Sequence, residues 1–314
     1  MANLVQLGAR PPAKPREPKP EWLKVRMPGG ERFAKVRDTL RELNLHTVCE
    51  EASCPNVGEC WGSGTATVML MGDVCTRGCR FCDVNSGMPA PLDPQEPRHL
   101  AEAVGRLGLD YLVVTSVNRD ELPDGGAAHF AQAIVELRRA APKTLVEVLT
   151  PDFQGSKAAL DMIIDAGPAV AAHNVETIER LTPRVRDRRA AYRQSLEVLE
   201  HYKRGGMRTK SSLMLGLGET PDEVVQAMRD LRSVDCDILT LGQYLRPSDK
   251  HLAVEEFVRP EVFSDLEQRG LGMGFKFVAA GPLVRSSYKA GEFFVQRWAS
   301  EGSPPGLEPQ AASR

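Results

Sequence analysis

Short apolar runs alternate along the chain with longer amphipathic segments. Residues 67–71, 111–115, 144–149, 169–173, 211–215 and 237–241 are brief and apolar, which predicts strands buried in a sheet. The segments between them, 99–107, 127–140, 157–165, 192–203 and 221–231, carry apolar positions at helical spacing. Strand–helix alternation at these intervals implies a parallel sheet. Six such units would close part of an eight-stranded barrel. A doubly wound open sheet competes with that arrangement, and periodicity does not separate them. In both, ligands gather at the C-terminal ends of the strands. The chain has no internal repeat.

Composition narrows the picture. With 314 residues and 42% hydrophobic side chains, the chain can bury one large core, as a single α/β barrel-like domain or as two smaller ones. A formal net charge of −2 marks neither a nucleic-acid binder nor a binder of acidic membranes. No apolar run approaches the roughly 18 residues needed to span a bilayer. Residues 1–30 are proline-rich and basic, with Arg10, Lys14, Arg16 and Lys19 in the first twenty, and are expected to form a flexible arm. They lack the apolar stretch of a secretory signal. A cytoplasmic location follows as the expectation, and with it a reducing environment in which cysteines bind metal more often than they pair. Residues 301–314 are expected to be a disordered tail.

The cysteines change the picture most. Cys75-Thr-Arg-Gly-Cys79-Arg-Phe-Cys82 follows the first predicted strand directly. Three thiolates on one loop can hold one soft metal centre. A closed structural zinc site wants four ligands, and no histidine lies nearby to complete the set. Three cysteines suit a cubic iron–sulfur cluster with one iron free for an outside ligand, and Phe81 offers apolar cover. A structural zinc loop is the plain alternative. A second group, Cys49, Cys54 and Cys60, has the spacing C-x4-C-x5-C and ends in Trp61. The same argument suggests a second cluster with one non-cysteine ligand. Cys236, in or beside a predicted strand, reads as a small core residue.

The first loop resembles the signature of the radical S-adenosylmethionine superfamily. The two groups together resemble the lipoyl synthase family, and the likeness runs through residues 115–126, 173–177, 210–219, 242–247 and 281–288. It implies a partial (β/α)6 barrel of the TIM type with N- and C-terminal extensions. Cys75, Cys79 and Cys82 would hold a 4Fe–4S cluster whose open iron binds S-adenosylmethionine, the source of a 5′-deoxyadenosyl radical. Cys49, Cys54 and Cys60 would hold an auxiliary 4Fe–4S cluster whose fourth ligand is a serine of Arg285-Ser-Ser-Tyr288, Ser287 first and Ser286 second. A serine oxygen is harder than a thiolate and a poorer match to cluster iron, so it would be the ligand most easily lost. A turn or a helix cap is the plain reading of that serine pair.

The resemblance further implies the insertion of two sulfur atoms at carbons 6 and 8 of an octanoyl chain on a lysine of a lipoyl carrier. The auxiliary cluster would be consumed as the sulfur source. Implied partners are octanoylated carriers (E2 subunits of 2-oxoacid dehydrogenases and the glycine cleavage H protein), an electron donor such as ferredoxin or flavodoxin, and an iron–sulfur carrier protein. The expected divisions are 1–30, the arm; 31–66, carrying the auxiliary cysteines; 67–280, the barrel; 281–300, carrying the serine; and 301–314, the tail.

Other residues are candidates by position. Asn174 and Glu176 follow the fourth predicted strand, where a barrel builds its site, and could hold S-adenosylmethionine. Arg186 could pair its carboxylate. An exposed ion pair or cap is the alternative for Glu176 and Arg186. Gly125-Gly126 resembles the superfamily's loop at the methionyl amine. His173 reads as a packed strand residue. Gly216-Leu-Gly-Glu219 lacks the Lys-Ser/Thr of a phosphate loop. Two other readings stand beside this one: a different sulfur-inserting radical enzyme, and a non-catalytic metal-binding scaffold.

Overall fold

The computed structural model describes residues 18–25, 29–43, 45–51, 54–62 and 64–287. Most of the proline-rich arm, and everything from Tyr288 onward including the tail 301–314, lie outside the described residues. Ten strands are present: β1 (His46–Thr47), β2 (Thr65–Leu70), β3 (Val74–Cys75), β4 (Asn85–Ser86), β5 (Tyr111–Ser116), β6 (Leu145–Leu149), β7 (Val170–Ala172), β8 (Thr209–Leu215), β9 (Ile238–Gln243) and β10 (Phe277–Gly281). The helices are α1 (Glu31–Glu42), α2 (Val48–Glu51), α3 (Val57–Gly62), α4 (Glu96–Leu107), α5 (Ala127–Ala140), α6 (Lys157–Ala166), α7 (Thr182–Val185), α8 (Tyr192–Arg204), α9 (Pro221–Ser233) and α10 (Pro260–Gly272).

One sheet runs in the order β1-β2-β5-β6-β7-β8-β9-β10. From β2 to β10 every ladder is parallel, and β1 adds an antiparallel edge beside β2. All six predicted strands and all five predicted helices are there, with ends shifted by a few residues. The seventh parallel strand, β10, and the helix before it were not anticipated. β10 reads Phe-Val-Ala-Ala-Gly, and its alanines and glycine carry little strand signal.

Side-chain alternation shows why the sheet curls. Leu112, Val114, Val146 and Val148 pack outward with α4, α5 and α6. Leu213, Leu215, Leu239, Leu241 and Val278 do the same with α8, α9 and α10. The intervening positions Tyr111, Val113, Val170 and Ile238 meet one another on the other face, joined by Leu149 and Phe277. Strands as distant in order as β5 and β9 can share that cluster only on the concave side of a curved sheet. Lys210 and Glu147 form a buried ion pair on the same side, at 2.7 and 2.9 Å, and the Tyr111 hydroxyl donates to Glu147 at 2.6 Å. The architecture is therefore an α/β partial barrel, and in the described residues no ladder joins β10 back to β1.

Helix ends follow local chemistry. Thr220 and Glu223 form a reciprocal capping box at the start of α9, and Ser156 caps α6 by accepting from Ala159. In the N-terminal extension, Val36 and Leu40 of α1 are buried. Phe33 stacks on Trp61 of α3 with ring centroids 5.0 Å apart, which seats the second cysteine group against the barrel.

Candidate functional site

The first cysteine group sits where β2 ends. Met71 adopts the left-handed conformation, φ 69°, which costs a non-glycine residue free energy unless its surroundings enforce it. Here they do. The Met71 N–H donates to both oxygens of Glu96, at 3.0 and 2.9 Å, and its carbonyl accepts from Arg119 at 3.2 Å. Glu96 is bound in turn to His129 Nε2 at 2.7 Å. The chain then enters β3, which pairs with β4, and the three cysteines lie on the excursion between Cys75 and Asn85.

Backbone amides point at the sulfurs. Cys75 Sγ accepts from the N–H of Arg77 at 3.4 Å and of Asn118 at 3.3 Å, and Cys79 Sγ accepts from Asp187 at 3.3 Å. Burial pushes the Cys79 thiol up, against the Asp187 amide and the charge of Arg186. Burial also pushes Cys82 up to about 12, with the Val84 amide opposing and the other two cysteines adding. Half-buried sulfurs that repel as anions and already receive N–H donors match the environment in which cluster thiolates are held. A bound cation reverses the cost of deprotonating them.

The loop is clamped from outside by ionic contacts. Arg77 is buried and donates to Asp152 through both Nη atoms at 2.7 Å, and to Asp120 at 2.7–3.2 Å. Burial alone would raise the Asp152 carboxyl, but the Arg77 hydrogen bonds and charge hold it at about 2. Gln194 also donates to Asp152, at 2.8 Å. Further along, the Arg80 N–H donates to Val185 O at 2.9 Å, Arg189 to Thr76 O at 2.6 Å, and His251 Nε2 to Cys82 O at 2.9 Å. Loops after β5, β6, β7 and β9 therefore all grip the cysteine loop. Sequence reasoning passed over Arg77, Asp120, Asp152 and Glu96. The available signal was an arginine inside the cysteine motif and acids just beyond two strands.

The rim residues converge on the same loop. Glu176 and Arg186 both act electrostatically on the Cys79 thiol. Glu176 is held at φ 66° by backbone bonds to Ser212 and Met214 of β8, and it accepts from Asn174 Nδ2 at 3.0 Å. Burial pushes its carboxyl up, opposed by Arg186 and Asn174. Arg186 donates to Ser195 at 2.7 Å. Two buried polar atoms here have no hydrogen-bond partner among the described residues, Asn174 Oδ1 and Arg186 Nε. An amide acceptor, a guanidinium donor and a carboxylate suit a ligand that brings an amine, a carboxylate and hydroxyls. Gly125 and Gly126 open α5 with φ 62° and 86°. A Cβ on Gly126 would stand 2.3 Å from Met71 Sδ, so the glycine permits the close approach of the two loops.

In the second group, Cys49 lies on α2, Cys54 in the turn that follows, and Cys60 on α3. Burial pushes Cys49 up to about 11, with Cys54 adding to the shift and Thr67 and Trp61 opposing it. Across the chain, burial lowers the pKa of Arg285, and the charge of the Cys54 sulfur acts in the opposite sense. Ser286 and Ser287 follow directly and are half-buried; Tyr288 and Lys289 lie outside the described residues. Among the described residues no three His, Cys, Asp or Glu side chains converge at single-ion spacing. A cubic cluster gives each thiolate its own iron and so needs them further apart.

Three other candidates resolve as packing. His173 is buried between Thr150 O and Ser195 Oγ at 2.9 and 3.0 Å, and burial lowers it to about 4. Cys236 is fully buried. The amides of Gly216 and Leu217 are taken by Glu219, so that loop offers no anion site.

Comparison with known proteins adds to this geometry. The radical SAM superfamily model matches residues 69–231, and the N-terminal domain of lipoyl synthase of the radical SAM family matches residues 9–54. The chain is 62% identical over 291 residues to a lipoyl synthase of Anaeromyxobacter sp. (strain Fw109-5), covering 92% of this chain and 98% of the relative. To the lipoyl synthase of Myxococcus xanthus it is 61% identical over 280 residues, covering 88% and 94%. To a mitochondrial lipoyl synthase of Aedes aegypti it is 57% identical over 284 residues, covering 88% and 72%. Among solved structures, methylornithine synthase aligns with a TM-score of 0.54 at 13% identity, covering 83% of this chain and 90% of that one. SuiB of Streptococcus suis bound to S-adenosylmethionine aligns at 0.52 and 10%, covering 77% and 51%. At those identities the structural likeness concerns the fold alone.

Proposed function

The chain belongs to the lipoyl synthase family of radical SAM enzymes, and from that premise we propose how its residues divide the work. The reaction is the family's: radical insertion of two sulfur atoms at carbons 6 and 8 of a protein-bound octanoyl group, with a 4Fe–4S cluster and S-adenosylmethionine. Its substrate is an octanoylated lipoyl carrier. Identity above 60% over nearly all of two relatives disfavours both a different sulfur-inserting enzyme and a non-catalytic scaffold.

In our reading Cys75, Cys79 and Cys82 hold the radical-generating cluster. The observation that carries this is the set of backbone N–H groups aimed at Cys75 and Cys79 on a loop clamped by Arg77. Asn174, Glu176 and Arg186 receive S-adenosylmethionine, supported by their unpartnered atoms and their place beside Cys79. Cys49, Cys54, Cys60 and Ser287 hold an auxiliary 4Fe–4S cluster, supported by the Asn56–Leu283 hydrogen bond that joins the cysteine turn to the segment ahead of the serines. Ser286 is the second choice for the oxygen ligand. When bound, these groups supply a hydrogen-abstracting carbon radical at the first site and the inserted sulfur at the second.

The chain's own residues position and shield. Arg77 fixes the first loop against β5 and β6, and Phe81 packs on the apolar cluster under α8–α10, which keeps water from the sulfurs. Carbons 6 and 8 are unactivated, so no side chain is asked to take a proton from them. The reading extends to E2 and H-protein carriers, to ferredoxin or flavodoxin as reductant, to an iron–sulfur carrier that rebuilds the second cluster, and to the cytoplasm, where thiols stay reduced. No helix among the described residues is long and apolar enough to cross a membrane. Anaerobic iron analysis tests the division. The parent should hold about eight irons per chain. Replacing Cys75, Cys79 and Cys82 by Ala should leave about four and abolish S-adenosylmethionine cleavage. Replacing Cys49, Cys54 and Cys60 should leave about four and preserve cleavage. Unchanged iron in either variant contradicts the assignment.

A further inference from the structure

The two segments of the proposed auxiliary site are brought together from opposite ends of the chain. Asn56 sits between Cys54 and Cys60, is 4% exposed, and belongs to the cysteine turn through its backbone, since its carbonyl accepts the Cys60 N–H at 2.9 Å. Its side chain leaves the turn. Nδ2 donates to Leu283 O at 2.6 Å across 227 residues of sequence. Leu283 is four residues before Ser287.

The serine segment is seated from the other side as well. The Val284 N–H donates to Gly281 O at 3.0 Å. Val284 O lies 2.0 Å from where a Cβ on Gly242 would stand, so only glycine at the end of β9 admits the strand this close. Arg285 donates to Val284 O at 2.7 Å and to Gln243 O at 3.3 Å. Residues 283–285 thus rest on β9, and Asn56 ties that platform to the cysteines.

We propose that Asn56 is a positioning residue that sets the hold of the serine on the auxiliary cluster: by gripping the Leu283 carbonyl it keeps the Ser287 hydroxyl in register with Cys54 and Cys60. The inference rests on the ligand set proposed above. A hard, weakly matched ligand stays bound largely because its local concentration is high. Releasing the tether lowers that concentration, while the three thiolates remain on their own short segment. Loss of one buried hydrogen bond of this kind corresponds to about a tenfold change in an equilibrium.

The test is iron release to a chelator from the loaded, full-length protein under anaerobic conditions. The two phases are assigned with the two triple-alanine variants. Asn56→Leu keeps the volume and removes the donor; it should accelerate the auxiliary phase about tenfold and leave the Cys75–Cys79–Cys82 phase unchanged. Adding Ser287→Cys should restore slow release, because a thiolate does not depend on the tether. A merely structural role predicts no such rescue. Acceleration of both phases, or of neither, overturns the proposal, as does failure of the cysteine to rescue. If Asn56→Leu does not fold, Asn56→Asp, which also lacks the donor, replaces it with the same expectations. Ser287→Ala in the parent separates the two claims: if it leaves the auxiliary phase unaltered, the serine assignment fails, whatever Asn56 does.

Discussion

Asp152→Asn probes the ionic clamp that fixes the first cysteine loop. Arg77 and Asp152 have side chains 3% and 0% exposed, joined at 2.7 Å. Asp120, the other partner of Arg77, is also shared with Arg189 at 3.3 Å. The substitution keeps the volume and one acceptor but leaves a buried guanidinium with half its counter-charge. Breaking a buried pair costs about 3–5 kcal/mol, and the surviving Asp120 contact lowers that to about 2–3 kcal/mol. An independent route agrees. A carboxyl held at about 2 against an ordinary 3.8 corresponds to about 2 kcal/mol favouring the folded, ionised form. The sign follows from the lowered folded-state pKa: the contribution is complete above the ordinary carboxylate range and disappears as pH falls from about 4 toward about 2. Thermal unfolding of the metal-free chain, followed by circular dichroism, reads this directly. The variant should melt roughly 5 °C below the parent at pH 7, and the gap should shrink to about half by pH 3 and close near pH 2. A gap under about 1 °C at neutral pH, or one that persists unchanged down to about pH 2, refutes the clamp.

Two further substitutions test the scaffold. Gly242→Ala puts a methyl group 2.0 Å from Val284 O, so the segment carrying the serine should lift from β9, seen as faster limited proteolysis near residues 283–287; protection equal to the parent contradicts the seating described. Lys210→Met leaves Glu147 buried without its cation and should destabilise the chain by about 3 kcal/mol in urea unfolding, whereas adding Glu147→Gln, which removes the charge and keeps an acceptor for the Tyr111 hydroxyl, should recover most of that loss; no recovery would show that the pair is not acting as a unit.

The strand–helix alternation was legible because the strands are short, apolar and regularly separated and the helices carry amphipathic periods; periodicity left barrel and open sheet undecided, and the family resemblance implied the barrel. β10, Phe277–Gly281, is no poorer in strand formers than the Ala169–His173 run, which reads as a strand, and it still escaped; its pairing is set by its neighbour β9. The cysteine groups stood out because thiols at such spacing have few other uses. The clamp around them did not. Asp120 and Asp152 acquire meaning only when the turns after β5 and β6 fold toward Arg77, a tertiary event with no local periodicity. Glu96 is similar: it reads as an ordinary helix-start acid, and only the left-handed Met71 reveals what it binds. The link from Asn56 to Leu283 spans nearly the whole domain and lay beyond any windowed reading.

The account stands or falls on the product. An octanoyl-lysine peptide should be incubated anaerobically with the reconstituted protein, S-adenosylmethionine and reductant, then weighed by mass spectrometry. The expected product has gained two sulfur atoms, one as a thiol at each carbon that lost a hydrogen, limited to about one product per chain unless the second cluster is rebuilt. A peptide whose mass is unchanged while S-adenosylmethionine is cleaved, or one that stops at a single sulfur with both clusters intact, would contradict it.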